Sequence, residues 1–487
     1  MLARTVTHAL VGLDARRVEV EARLDSGRVP GFAIVGLADR ACQEAKHRVR
    51  SGIASAELDW PVRRITVNLA PAALRKEGSG FDLPIALAVL AASGQIPRER
   101  LREHASLGEL ALDGRVRPVG GVLAAAEAAR GAGLTRLLCS ARSAPEAALA
   151  GVDPVPLRHL AEAAAYLRGE ADPEPFVARN GRRPEEALSD LADVRGQERA
   201  RRALEIAAAG RHNLLFGGPP GTGKTMLARR LPGVLPPLDT ADALEVTRIH
   251  SVAGLIDPGR PLITQPPFRA PHYNASVAAM VGGGPGPRPG EITLAHRGVL
   301  MLDELPEFAR PALEALRQPI EDGIVAVARV GGRAIFPSRF QLVATMNLCP
   351  CGARGDAAAE CSCSPQRLAA FRDKLSRALL DRFDLVVAMP RPRAHELAAP
   401  QGEASERVRA RVLAARGRLG QARPEWAAGA TVLLDRAVER LPLSGRGRAR
   451  ARRVAETIAA LGGSDRVEAS HVSEALAYRS PRELTFA

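Results

Sequence analysis

The chain has 487 residues, 46% hydrophobic and 25% charged, with 68 Lys+Arg against 54 Asp+Glu and a formal net charge of +14. At roughly 150 residues per domain this length predicts about three domains, and the composition excludes a largely disordered or fibrous chain. Apolar runs fall short of the roughly 20 residues a membrane-spanning helix needs, and the start, MLARTVTHALVGLDARR, lacks the apolar stretch of a secretion signal. A cytoplasmic protein with no membrane partner is therefore expected.

Residues 1–168 alternate β-like runs at 18–22, 32–35 and 65–69 with Ala/Leu-rich helical stretches at 84–93 and 122–132. Residues 169–186, GEADPEPFVARNGRRPEE, are dense in Pro, Gly and charge and read as a linker, bounded at 169–190. A helix at 197–209 then leads into an apolar strand at 213–216, and apolar runs alternate with helices to about 392. That alternation predicts an α/β core with a parallel sheet over 191–392. The remainder, 393–487, reads as helical, with helices at 404–419, 431–441, 448–461 and 469–477.

Gly218-Pro219-Pro220-Gly221-Thr222-Gly223-Lys224-Thr225 fits G-x-x-x-x-G-K-[ST] between a strand and a helix expected at 226–231. Glycines there let backbone N–H groups face phosphate oxygens, Lys224 would bridge β- and γ-phosphates, and the Thr225 hydroxyl would ligate Mg²⁺. Of the cationic residues only Lys46, Lys76, Lys224 and Lys374 are lysines, a bias toward arginine that makes the net charge weak evidence for nucleic acid. A lysine retained in this loop marks a position where a compact ammonium is needed. A nucleoside triphosphate with Mg²⁺ is the expected ligand.

Four apolar residues of Gly298-Val299-Leu300-Met301-Leu302-Asp303-Glu304 deliver two carboxylates to the end of a buried strand. Asp303 is expected to hold the Mg²⁺ shell and Glu304 to polarise an attacking water. A second apolar strand at 341–346 ends in Asn347, which would orient the water or contact the γ-phosphate, or else cap the turn. In Leu379-Leu380-Asp381-Arg382-Phe383-Asp384 the arginine either reaches a neighbouring subunit's γ-phosphate or pairs on the surface. Residues 444–453, SGRGRARARR, carry five arginines, of which Arg446 is the candidate for touching phosphates and the rest suit a solvated helix face.

In this order the motifs resemble an AAA+ ATPase, with Walker A, Walker B, sensor 1, arginine finger and sensor 2 at the positions above. GRHNLLFGGPPGTGKTMLARRLPGVLPPL, FRAPHYNASVAAMVGGGPGPRPGEITLAHRGVLMLDELPEF and LLDRFDL further resemble the magnesium-chelatase-like ComM/YifB family. The resemblance implies an N-terminal Lon-protease-like (ribosomal protein S5 domain 2-like) α+β domain, an AAA+ core and a helical lid. It also implies a homo-hexameric motor that migrates DNA branches and aids integration of incoming DNA in natural transformation. A chelatase-type ATPase acting on a protein or porphyrin partner is the alternative, and an N-terminal domain that docks DNA or protein is a third reading. Shared ancestry with a chelatase does not carry its activity over.

Two departures from the pattern matter. Pro271-His272-Tyr273 stands where relatives commonly read P-H-H. In Lys76-Glu77-Gly78-Ser79-Gly80 the position of a Lon nucleophile is Gly80, and Ala125 replaces the lysine that follows Gly114–Gly121. Ser79 is one residue out of register and Lys76 the nearest remaining amine, so this domain reads as non-catalytic.

Cys349, Cys351, Cys361 and Cys363 lie within fifteen residues, directly after Asn347. Such clustering in a cytosolic chain favours metal over disulfide, and four thiolates close a structural zinc site; the other reading is reduced thiols in a loop. Cys42 and Cys139 stand alone and are expected in the core. Residues 324–336 read as a hairpin around Gly331-Gly332, in which Arg329 and Arg333 are candidates for gripping DNA phosphates. Residues 268–288 resemble the family's insertion before Walker B. With only 3% aromatic residues, sequence-independent tracking of single-stranded or branched DNA is expected rather than base stacking.

Overall fold

In Asp14–Asp25 alternate residues Val18, Val20, Ala22 and Leu24 are buried while their neighbours face outward, the two-residue period of a half-buried strand. This strand pairs antiparallel with Leu2–Val11 on one side and Arg64–Ala70 on the other. The computed structural model describes residues 1–25, 29–175, 189–283, 288–329, 332–421, 423–441 and 443–479. Gly31–Val35 extends the sheet at one edge, and His104–Leu107, Arg136–Ser140 and Asp153–Leu157 extend it at the other, giving seven strands. Against it lies Asp82–Ala92, a helix apolar all round after Asp82 and buried at every residue. The strand Leu2–Val11 was not legible in the hydrophobic pattern, because its buried positions include Thr5, Thr7 and His8.

The second sheet has five strands in the order Phe268–Arg269, Val299–Leu302, Gln341–Met346, Leu214–Gly217 and Leu385–Ala388, all parallel. Its three inner strands are buried at every residue, as expected of a sheet covered on both faces. On one face Phe216, Met301 and Val343 pack with Leu204 and Ile206 of the helix Glu198–Gly210. The C-terminal helices Ser405–Gln421, Ala428–Arg440, Gly445–Leu461 and Ala469–Ala477 join the same cluster through Val412, Leu434, Val454 and Val472. The helical segment therefore shares its core with the sheet. On the other face Leu300, Leu302, Leu342 and Ala344 pack with Leu313, Phe336 and Phe383. The result is an α/β architecture with a parallel sheet at its centre.

Local chemistry moves two helix boundaries. The helix expected from 448 begins a turn earlier, capped by Ser444 Oγ accepting from Gly447 N at 3.0 Å; Gly445 and Gly447 hid that turn from the sequence pattern. The helix expected at 226–231 is two, Lys224–Ala228 and Leu231–Val234, the second with Pro232 in its first turn. The helix Val122–Gly131 meets the helix Thr240–Val252, where Gly121 N donates to Ser251 O at 2.9 Å and Arg248 pairs with Glu127. Of the expected linker, residues 176–188 lie outside the described residues. No helix among the described residues is long and apolar enough to cross a membrane.

Candidate functional site

Strand Leu214–Gly217 runs out at Gly218, where a Cβ would stand 2.2 Å from the carbonyl oxygen of Met389 on the neighbouring strand's exit. Only glycine fits that approach. The loop then turns through Gly221 and Gly223, both left-handed (φ +77° and +87°), and Thr222 Oγ1 donates to Pro219 O at 3.1 Å. This curls the chain around the Lys224 side chain. Its Nζ donates to Gly218 O at 2.8 Å, Pro219 O at 2.7 Å and Asn347 Oδ1 at 3.1 Å. Burial pushes the Lys224 ammonium below its ordinary value, opposed by the charges of Asp303 and Glu304.

The parallel sheet brings the other candidates to the same edge, since Val299–Leu302, Gln341–Met346 and Leu214–Gly217 all end there. Asp303 Oδ1 accepts from Thr225 Oγ1 at 2.8 Å and from Thr345 Oγ1 at 2.5 Å. Glu304 N donates to Thr345 Oγ1 at 3.0 Å, and Glu304 itself adopts a left-handed backbone (φ 56°), a conformation that costs a non-glycine residue about 1–3 kcal/mol. Residues Pro220 to Met226 on one side, and Asp303, Glu304, Thr345, Met346 and Asn347 on the other, enclose a cavity of about 460 Å³. Thr345 had no signal in the sequence: an inward Thr in an apolar strand reads as ordinary packing. In three dimensions its hydroxyl holds both Asp303 and the Glu304 N–H.

The arginines are arranged otherwise. Arg382 is buried, donates to Ala378 O, and pairs with Glu321 at 2.7 Å; its Nε is buried with no partner among the described residues. Arg446 pairs with the same Glu321 at 3.2 Å and does not line the cavity. The other four arginines of the run also face carboxylates. Arg448 pairs with Asp435, Arg450 and Arg453 with Asp384, and Arg452 with Glu456. Attraction to nearby acids, and not the loop, sets their positions. For Arg329 and Arg333 the hairpin backbone is described (Ile324–Arg329 antiparallel to Gly332–Pro337), but the two side chains lie outside the described residues.

With this geometry in place, residues 190–397 match the family described as magnesium chelatase, subunit ChlI, and residues 20–143 match subunit ChlI of Mg-chelatase. Residues 421–479 match the ChlI C-terminal family. An uncharacterized protein of Mycobacterium tuberculosis is 46% identical over 499 residues, 98% of each chain. YifB of Escherichia coli is 40% identical over 97% of this chain and 96% of its own. Competence protein ComM of Haemophilus influenzae is 41% identical over 98% of this chain and 97% of its own. The chain belongs to the ComM/YifB magnesium-chelatase-like family.

The residues that depart from the active Lon-protease pattern, and the one that departs from the family's P-H-H, have defined surroundings. Ser79 Oγ donates to Glu109, whereas the Lys76 ammonium is fully buried and donates to Pro71 O, so the serine and the amine serve different partners. Ala125 is buried in the helix Val122–Gly131. Tyr273 stacks beside His272 with ring centroids 4.2 Å apart. Cys42 and Cys139 are buried as expected, and burial pushes both thiols up to about 12. The remaining four cysteines converge, their Sγ atoms all within 4.8 Å of one another.

Proposed function

We propose that the chain is an ATPase that works as a ring of six and moves DNA, migrating branches during integration of incoming DNA. The observation that carries this reading is the convergence of Lys224, Thr225, Asp303, Glu304 and Asn347 on one cavity, with Arg382 held apart on Glu321. Lys224, already surrounded by oxygen acceptors, holds the β- and γ-phosphates, and loop N–H groups bind their remaining oxygens. Thr225 Oγ1 and Asp303 Oδ1, 2.8 Å apart, are hard oxygen donors of the kind Mg²⁺ prefers, and would hold that ion against the nucleotide. When bound, the ion neutralises charge on the transferred phosphoryl group. Glu304 takes the proton of the attacking water, and Asn347 aligns that water or the γ-phosphate. Among the described residues Lys224 is the one cation lining the cavity, and a neighbouring subunit's Arg382, with Arg446 beside it, supplies a second. Hexamer formation is thus part of the chemistry.

Residues 1–168 act as a non-catalytic Lon-like domain, 191–392 as the AAA+ core and 393–487 as its lid. The competence name of one relative supports DNA as the partner. Arg329 and Arg333 at the tip of the hairpin are the proposed phosphate contacts. Turnover measured with and without forked or four-way DNA tests the reading, and indifference to every DNA would overturn it. The chelatase family match favours one alternative, a motor acting on a protein partner, which predicts that indifference.

A further inference from the structure

The segment that follows Asn347 is held by very little hydrophobic packing. Leu348 and Cys349 are buried, but from Ala353 to Ser362 no residue is, and no helix or strand forms before Pro365–Asp373. A stretch of this kind needs a cross-link to hold one conformation. It nevertheless folds back so that four thiols meet. Cys349 Sγ lies 3.3 Å from Cys351 Sγ, and Cys351 Sγ lies 3.6 Å from Cys361 Sγ, with all four sulfurs inside 4.8 Å. Tetrahedral zinc with Zn–S of about 2.3 Å sets its sulfurs about 3.8 Å apart, so this spacing matches one ion better than a pair of disulfides, whose bonded sulfurs are about 2.0 Å apart. Arg354 N donates to Cys349 Sγ at 3.3 Å, the kind of backbone N–H contact that orients a thiolate ligand.

The cluster is also joined to the nucleotide cavity. Gly352, between Cys351 and the turn, has φ +81°, and a Cβ there would stand 2.8 Å from Pro220 Cγ of the phosphate loop. Gly355 repeats that conformation (φ +81°) over Leu348. Asp356 is clamped by both arms of Arg391, just past the last strand of the sheet. Asn347, two residues before the first cysteine, accepts from Lys224.

We propose that Cys349, Cys351, Cys361 and Cys363 bind one structural zinc ion per chain, and that this ion clamps the Asn347 turn against the phosphate loop. All four ligand positions come from the protein, so the ion has no open position for catalysis. The clamp, though not the metal site, rests on reading the cavity as a nucleotide site. Zinc content of full-length protein purified without chelator should be one equivalent per chain, and protein grown with cobalt should show the visible absorption of tetrahedral thiolate-bound Co²⁺. The variant C361S/C363S alters two outlying ligands and should lose the metal. Its affinity for a fluorescent ATP analogue should fall roughly tenfold, the worth of one lost hydrogen bond or contact.

Substoichiometric zinc with four freely titrating thiols, or an intact mass showing two disulfides, would overturn the metal site. The cobalt spectrum keeps that test valid if the variant fails to fold. Full zinc in the parent with unchanged nucleotide affinity in a folded, metal-free variant would overturn the clamp alone. A zinc-loaded parent that binds no nucleotide would instead overturn the nucleotide reading and the clamp with it, leaving the metal site standing.

Discussion

Replacing Lys224 by arginine keeps the charge and should still cut turnover by roughly two to four decades. The Lys224 ammonium is almost fully buried, and one nitrogen satisfies three oxygens at 2.7–3.1 Å, on Gly218, Pro219 and Asn347. A guanidinium is planar and spreads its donors over separate nitrogens, so it cannot direct three bonds from one point. Keeping one of the three and losing two, at about 1.5–3 kcal/mol for each charge-assisted bond, costs about 3–6 kcal/mol. At 1.4 kcal/mol per decade that is roughly a hundredfold to ten-thousandfold in turnover if the loss falls on the transition state. Lys374→Arg is the matched control. That ammonium is half exposed and 3.8 Å from Glu307, so its replacement should change stability and rate negligibly. Phosphate release, read beside thermal midpoints to confirm folding, is the assay. Turnover of Lys224→Arg within tenfold of the parent would refute the argument that the loop requires a point cation.

Thr345→Val keeps the strand's shape but removes the hydroxyl shared by Asp303 and the Glu304 N–H; turnover should drop by roughly one to two decades with a raised Mg²⁺ requirement, as for loss of a residue orienting a metal ligand. An unchanged Mg²⁺ titration would show that Thr345 only packs. Arg382→Ala should bind nucleotide normally and lose about three decades of turnover, and mixing it with a Lys224 variant should restore part of the rate if the arginine acts across subunits. Parental turnover by Arg382→Ala alone would exclude that role. His212 is buried, bonded to Thr457 Oγ1 at 2.8 Å, and burial pushes it down to about 4. Its folded value lies below its unfolded one, so the neutral ring's contribution is intact above about pH 6.5 and is lost as pH falls toward 4, up to about 3 kcal/mol. Thermal midpoints of the parent should fall across that window and those of His212→Gln less steeply; parallel curves would refute the assignment.

How much of this was legible depends on the range of the determining interaction. The loop 218–225 and the strands ending at Asp303 and Asn347 were readable, because a parallel strand buried on both faces is a short apolar run and a phosphate loop is a contiguous pattern. The four cysteines were readable by spacing alone. Leu2–Val11 was hidden because its buried face carries Thr5, Thr7 and His8. Thr345 was hidden because its partners lie on another strand, brought into register only by the sheet. The choice among the chain's many arginines was hidden for a related reason. Long cations go to whichever carboxylate the fold places near them, and within the chain Glu321 pairs with both Arg382 and Arg446. The sequence by itself determined the elements and the chemistry each carries, since hydrophobic period and motif spacing are local. Only the tertiary structure decided which hydroxyl bonds Asp303, which acid holds each arginine, and that Gly352 lies against Pro220, because these are contacts between chain segments far apart in sequence.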